Sequence, residues 1–230
     1  MFSFTLFRVP VSIHPSLWVM LVLLSVFFTG FAAGLAGVAL FGVALFFCLL
    51  AHEVGHALVG QWLGGGRAQI FLAWLGGDCC NETARLTRTG GILMTAAGPM
   101  ASMLLPLVVV FPFMAYMLSD IGQGLLVTCG LIVGNVPQAL LDVCPPMVVL
   151  FAMYLVRICV WWSLLNLLPI YPLDGGQIMH GLMSSPHTMH RISLAFACGL
   201  AFFFGVSGSW WMVFVMASLA VFNYHCMKHS

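Results

Sequence analysis

The amino-acid sequence predicts an all-α polytopic membrane protein of about six transmembrane helices. Three observations carry this. Apolar residues are 62% of the 230 residues and charged residues only 6%, against about 25% charged in soluble proteins. Mean hydropathy is +1.10, and the apolar residues fall into long runs. Six helices of about 20 residues would take roughly 120 residues, leaving room for short loops. Seven Lys/Arg against six Asp/Glu give a net charge of +1, with no basic stripe for a nucleic acid. The eight Cys are scattered, which excludes a secreted disulfide scaffold. Cys48, Cys129, Cys159 and Cys198 lie in apolar runs and read as small buried hydrophobes. Adjacent Cys79 and Cys80 do not form a zinc-binding Cys-x-x-Cys pair.

The runs read in order as spans over about 16–34, 36–62, 91–118, 147–168, 190–206 and 208–227. Arg8, Pro10 and the His14-Pro15 break precede the first, and no small-x-small cleavage site follows it; it reads as a retained span rather than a signal peptide. Span three is interrupted by Pro106 and Pro112. Residues 64–90 form a polar, Gly-rich stretch, and 169–187 a Pro/Gly-rich one. Residues 119–146 are weaker, and their apolar part, 121–141, reads as a re-entrant or interfacial piece rather than a seventh span. With six spans, Arg8, Arg67, Arg85, Arg88, Arg191 and Lys228 share one side, opposite Asp120 and Asp142. That is a positive-inside pattern with both termini cytoplasmic. Arg157 falls inside span four; it either faces a cavity or a partner, or snorkels from near a helix end. Residues 1–230 are expected to form one transmembrane domain, with its core over about 36–178 and extra helices at 190–227.

Chemistry concentrates in span two, at His52-Glu53-Val54-Gly55-His56. Positions i and i+4 share one helix face, so two imidazoles there can bind one metal ion with Glu53 beside it. The chain holds eight His and two Glu, for which about 0.002 matches to this motif arise by chance. A carboxylate inside a membrane helix is by default functional; the alternative is a polar knot holding helices together. Catalytic zinc usually takes three protein ligands and leaves a position for water. Acidic candidates for the third ligand are Asp78, Glu82, Asp120, Asp142 and Asp174. Asp120 and Asp142 fall on the far side of the membrane. Asp174 follows a stretch broken by Pro169 and Pro172, and irregular backbone at membrane depth lines a cavity or is buried in protein. That favours Asp174, with His180 and His187 as rivals further into the loop.

His52-Glu53-x-x-His56, followed by Asn166-x-x-Pro169-x-x-Pro172-Leu-Asp174-Gly175, resembles the site-2 protease family of intramembrane zinc metalloproteases. Ile13-His14-Pro15-Ser16 resembles the entry motif of the compact bacterial and archaeal members. The stretch Ile70-Phe-Leu-Ala-Trp-Leu-Gly76-Gly77 resembles the family's short strand segment after the first zinc helix, and Ala96-Ala97-Gly98-Pro99 the start of its next core helix. The resemblance covers most of residues 12–178. It implies one zinc ion per chain, with His52, His56 and Asp174 as ligands and Glu53 as catalytic base. Asn166 matches an Asn that holds the substrate backbone. The implied fold includes a short β segment after the second helix, whose residues 67–75, with Ile70 and Leu72, would pair with an unwound substrate. These residues include neither the PDZ insertion nor the CBS-type nucleotide-binding domain that regulates larger relatives.

The implied activity is hydrolysis of peptide bonds in or near transmembrane segments, that is, regulated intramembrane proteolysis, in a prokaryotic plasma membrane. The implied substrates are membrane proteins such as an anti-sigma factor, a membrane-tethered transcription factor or a signal-peptide remnant. The rivals are a non-proteolytic metal-binding protein or metal transporter, and a catalytically silent relative. Gly98-Pro99 and Gly175-Gly176 also read as packing and turn residues. His14 reads as a helix-entry residue or a partner behind a ligand rather than a ligand itself, and His180, His187, His190, His225 and His229 as facing water or headgroups. Trp161-Trp162 and Trp210-Trp211 read as lipid-facing or interfacial anchors.

Overall fold

The computed structural model describes residues 1–30, 33–74, 76–82, 85–114, 145–183 and 185–229. The 121–141 stretch, Asp120, Asp142 and Cys129 lie outside them. The elements run β1 (Phe2–Leu6), β2 (Val9–Ile13), α1 (Pro15–Thr29), α2 (Gly34–Gly64), β3 (Arg67–Ala73), β4 (Gly76–Glu82), α3 (Arg88–Met114), α4 (Pro146–Asn166), α5 (Asp174–Leu182), α6 (Pro186–Val206) and α7 (Trp210–His229). Five of these, α2, α3, α4, α6 and α7, are long and apolar enough to cross a membrane. The expected first span is shorter than its apolar run. Helix α1 has 15 residues and stops at Gly30, which has φ of +68°; at 1.5 Å per residue that is about 22 Å.

Local chemistry sets the helix boundaries. Prolines 15, 146 and 186 sit in the first turns of α1, α4 and α6, where the missing N–H has no helical partner to lose. His14 caps α1 by accepting from the Ser16 amide, and Ser185 caps α6 by accepting from the Thr188 amide. The Pro99 carbonyl accepts from the Ser102 and Ser163 hydroxyls, both at 3.1 Å, and those hydroxyls lie 2.7 Å apart. This buried knot ties α3 to α4. Gly55 of α2 lies against Ala97 and Ala101, small residues that let α2 and α3 approach closely.

The β structure is larger than the sequence suggests. Two antiparallel hairpins join through a parallel pairing of β2 with β3 into a four-stranded sheet of order β1-β2-β3-β4. The first hairpin turns at Phe7 and Arg8, both with positive φ, 49° and 67°, as a two-residue turn of this twist requires. Val9, Val11 and Ile13 on β2, and Ala68, Ile70 and Leu72 on β3, alternate onto one buried face. That face belongs to the main core with Leu17, Leu21, Leu45 and Leu49 of α1 and α2. A smaller cluster of Ile170, Ala197, Met216 and Ala220 lies between the 167–173 segment and the α6–α7 hairpin.

Three expectations are corrected. Cys198 is exposed, because it lies on the outer face of α6 beside the buried Ala197. His190 is buried, at 8% exposure, with Nδ1 at 3.0 Å from Asn223 Oδ1. Trp162 is half-buried in the protein, whereas Trp161 is exposed, because Trp162 lies one turn before Asn166 on the inner face of α4.

Candidate metal centre

Helix α2 buries His52, Glu53 and His56 at 5%, 6% and 9% exposure. Four residues apart, the imidazoles project from one face, with Nε2 atoms 3.1 Å apart. The chain then returns through α4, which ends at Asn166, and through the proline-broken segment 167–173. It re-enters helix with Asp174 as the first residue of α5. Asp174 is 6% exposed, with Oδ2 at 3.0 Å from His52 Nε2 and Oδ1 at 3.6 Å from His56 Nε2. Among the described residues, these three form the one group able to offer a metal ion three converging ligand atoms.

The donor set fits zinc. Two imidazoles and a carboxylate are ordinary zinc ligands, and bond lengths near 2.0–2.1 Å put neighbouring tetrahedral ligands about 3.3 Å apart. The observed separations of 3.0, 3.1 and 3.6 Å bracket that value. Asp174 Oδ2 is buried with no hydrogen-bond donor, which suits a carboxylate awaiting a cation. His56 Nδ1 lies 2.9 Å from the Met94 carbonyl, which can only accept. Nδ1 therefore carries the proton, and Nε2 keeps its lone pair toward the cluster.

Two glycines make room for these side chains. A Cβ on Gly98 would overlap the His56 ring, and one on Gly77 would overlap the Glu53 carboxylate. Gly98 is thus a close-approach position as well as part of a helix-packing motif. Glu53, Asn166 and the three candidate ligands line one cavity of about 310 Å³. Asn166 donates from Nδ2 to the Trp162 carbonyl at 3.0 Å, so its amide also ties down the end of α4. Asp78 and Cys79 of β4 border the same cavity. Burial and the neighbouring Glu53 carboxylate push the Cys79 thiol up to about 12.

The remaining candidates separate from the centre. Asp78 borders the cavity outside the ligand cluster, and His180 and His187 are exposed. The Glu82 side chain lies outside the described residues. Ile70 and Leu72 are corrected as substrate-contacting residues. They are 1% and 0% exposed, and β3 already has β2 on one side and β4 on the other. The edge next to the cavity belongs to β4. Sequence reasoning passed over Gly77 as a close-approach site, the Met94 carbonyl, Trp162 and Gln177, all at the cavity. Only the Gly76-Gly77 pair carried a signal, read as part of a motif rather than as room for Glu53.

No protein-family model matches the chain. It is 24% identical, over 95% of its length and 67% of the relative's, to stage IV sporulation protein FB of Bacillus subtilis (strain 168). Its fold matches that of the site-2 protease from Methanocaldococcus jannaschii with a TM-score of 0.55 at 18% identity, covering 98% of this chain and 95% of that one. The chain thus shares the fold of that site-2 protease over nearly its whole length, and the motifs and the converging donors agree with the likeness.

Proposed function

We propose that this protein is an intramembrane zinc metalloprotease in which His52, His56 and Asp174 hold one zinc ion and Glu53 is the catalytic base. The observation that carries the reading is the convergence of Asp174 on the His52–His56 face of α2, with Glu53 in the same cavity. Zinc bound there supplies a Lewis acid that activates water and polarises a peptide carbonyl. Glu53 takes the proton of the attacking water and returns it to the leaving amide nitrogen. Gly77 leaves the Glu53 carboxylate space at the cavity wall. The Met94 carbonyl holds the His56 ring in the ligating tautomer.

The substrate is a membrane protein with a transmembrane segment near the scissile bond. A helix shields its own peptide bonds, so the segment must unwind before cleavage. Strand β4, at the sheet edge, has Gly77, Asp78 and Cys79 on the cavity. An unwound substrate can add there as a further strand, in place of the pairing expected at β3. Asn166 lies across the cavity and grips the substrate backbone. Candidate substrates are single-span regulators, anti-sigma factors and signal-peptide remnants. The protein sits in a prokaryotic plasma membrane with α1 as a sixth, short crossing and both termini cytoplasmic, on the sidedness of Arg8, Arg67, Arg85, Arg88, Arg191 and Lys228.

The test is co-expression with a library of single-span proteins, comparing fragments for wild type and Glu53→Gln. Fragments that need Glu53 support proteolysis. Metal transport or binding that persists in Glu53→Gln, with no fragments from wild type, would instead favour a transporter or a silent relative.

A further inference from the structure

In the segment that delivers Asp174, the amides of Leu167, Leu168, Ile170 and Leu173 bond to nearby backbone carbonyls, whereas that of Tyr171 bonds to a side chain from elsewhere. Leu167-Leu168-Pro169-Ile170-Tyr171-Pro172-Leu173 lies between α4 and α5, and its prolines cannot donate. Backbone groups buried in such a segment need partners from elsewhere. At Tyr171, three residues before Asp174, both partners come from the α6–α7 hairpin. The Tyr171 amide donates to Ser193 Oγ of α6 at 3.1 Å. The Tyr171 carbonyl accepts from Asn223 Nδ2 of α7 at 2.5 Å.

The Asn223 amide is fixed in that orientation. Its Nδ2 also donates to the Leu219 carbonyl at 2.9 Å, and its Oδ1 accepts from His190 Nδ1 at 3.0 Å. Ser193 and Asn223 are both 0% exposed. Polar side chains on membrane-length helices are expensive unless satisfied, and here they face the irregular backbone next to Asp174. On the other side of the segment, a Cβ on Gly175 would overlap the Leu167 and Leu168 carbonyls, and one on Gly176 the Tyr171 amide nitrogen. Ile170 anchors the hairpin's apolar cluster, and the Tyr171 ring stacks on Phe222 with centroids 6.1 Å apart. The segment is thus held between the first turn of α5 and the hairpin.

We propose that Ser193 and Asn223 are positioning residues for Asp174, acting through the Tyr171 backbone, so that the seating of the α6–α7 hairpin sets how well the third ligand meets His52 and His56. This rests on the reading of Asp174 as a metal ligand. Neither residue lines the cavity.

The experiment measures zinc affinity of the full-length, detergent-purified protein by competition with a chromogenic chelator, for wild type, Ser193→Ala, Ser193→Thr and Asn223→Ala. Groups that orient metal ligands are typically worth about 10–100-fold in affinity. Both alanine variants should weaken zinc binding by that factor. Ser193→Thr keeps the hydroxyl and should stay within about threefold of wild type on the same principle. With one cleavable single-span substrate, kcat in the alanine variants should fall at limiting zinc and recover at saturating zinc, with KM unchanged. Wild-type affinity in both alanine variants would overturn the proposal, and so would equal losses in Ser193→Ala and Ser193→Thr. Ser193→Ala removes one oxygen atom, which keeps the test usable if Asn223→Ala does not fold. Failure of wild type itself to bind zinc would refute the metal centre instead, a separate outcome.

Discussion

Gly77 of β4 lies so close to Glu53 of α2 that a β-carbon at position 77 would overlap the Glu53 carboxylate. The two residues come from a strand at the sheet edge and the middle of a membrane-length helix. Their contact brings the β hairpin to the wall of the cavity. It also makes the position of the carboxylate depend on an absent side chain 24 residues downstream.

Gly77→Ala should therefore turn Glu53 away from the cavity while leaving the proposed metal ligands in place. A general base contributes about 10²–10⁴-fold in rate, so cleavage should fall by at least the lower figure with zinc content near wild type. The check is product formation at matched expression and zinc load. Near-normal cleavage would mean that Glu53 has another rotamer that serves equally well.

Gly98→Ala strikes a proposed ligand rather than the proposed base. The added methyl would meet the His56 ring, which the Met94 carbonyl also holds at Nδ1. A buried imidazole flanked on both sides cannot swing clear without losing that hydrogen bond. Zinc affinity should drop by about 10–100-fold, the range for disturbed ligand orientation. Isothermal titration of metal into the zinc-free protein would measure it, and unchanged affinity would remove Gly98 from the centre.

The part of the site legible in the sequence was the part with unusual chemistry. His52, Glu53 and His56 stand out because polar residues in an apolar run need a reason, and Asp174 because prolines break the helix before it. Geometry that depends on absent atoms was not legible. Gly77 and Gly98 look like turn and packing residues until a neighbouring chain segment is seen against them. Long-range partners were equally hidden. His190 sits near the start of its helix, where a water-facing reading is natural, and only the fold brings Asn223 to it. The N-terminal hairpin was missed because Phe7-Arg8 lacks the Asn-Gly or Asp-Gly chemistry that announces such a turn. The pairing of β2 with β3 spans some 60 residues, which no local pattern reports.

The metal centre predicts a loss of bound zinc in His52→Ala and in Asp174→Ala, measured by elemental analysis of purified protein. A chelator should abolish cleavage by wild type, and added zinc should restore it. Normal zinc content in both variants would sink the ligand assignment, whatever the activity.

Sidedness predicts that residues 66 and 229 label from the cytoplasm and residue 145 from the opposite face. Single cysteines at these positions in a background without other cysteines, probed with an impermeant maleimide, would decide it. Labelling of 66 and 145 from the same side would refute the six-span arrangement and restore a crossing between α3 and α4.

Asn166→Ala should retain zinc and lose most cleavage. Asn166 closes α4, and its Nδ2 donates to the Trp162 carbonyl at 3.0 Å. That bond by itself describes a residue tying down a helix end. Asn166 also lines the cavity with Glu53 and Asp174, and an Asn amide offers a second N–H and a carbonyl oxygen beyond the donor already used. Those are the groups that can hold a peptide backbone beside the metal centre. Losing one such bond in the transition state typically lowers the rate by about 10²–10³-fold. Replacement by Ser or Asp distinguishes the two roles. Either side chain can satisfy local backbone groups at a helix end, but neither reproduces the paired amide donor and acceptor. If Asn166 only ties down the helix, Asn166→Ser and Asn166→Asp should cleave like wild type, and Asn166→Ala should lose stability rather than turnover. If it grips substrate, all three should fold and bind zinc while cleaving poorly, as measured on one single-span substrate at matched zinc content.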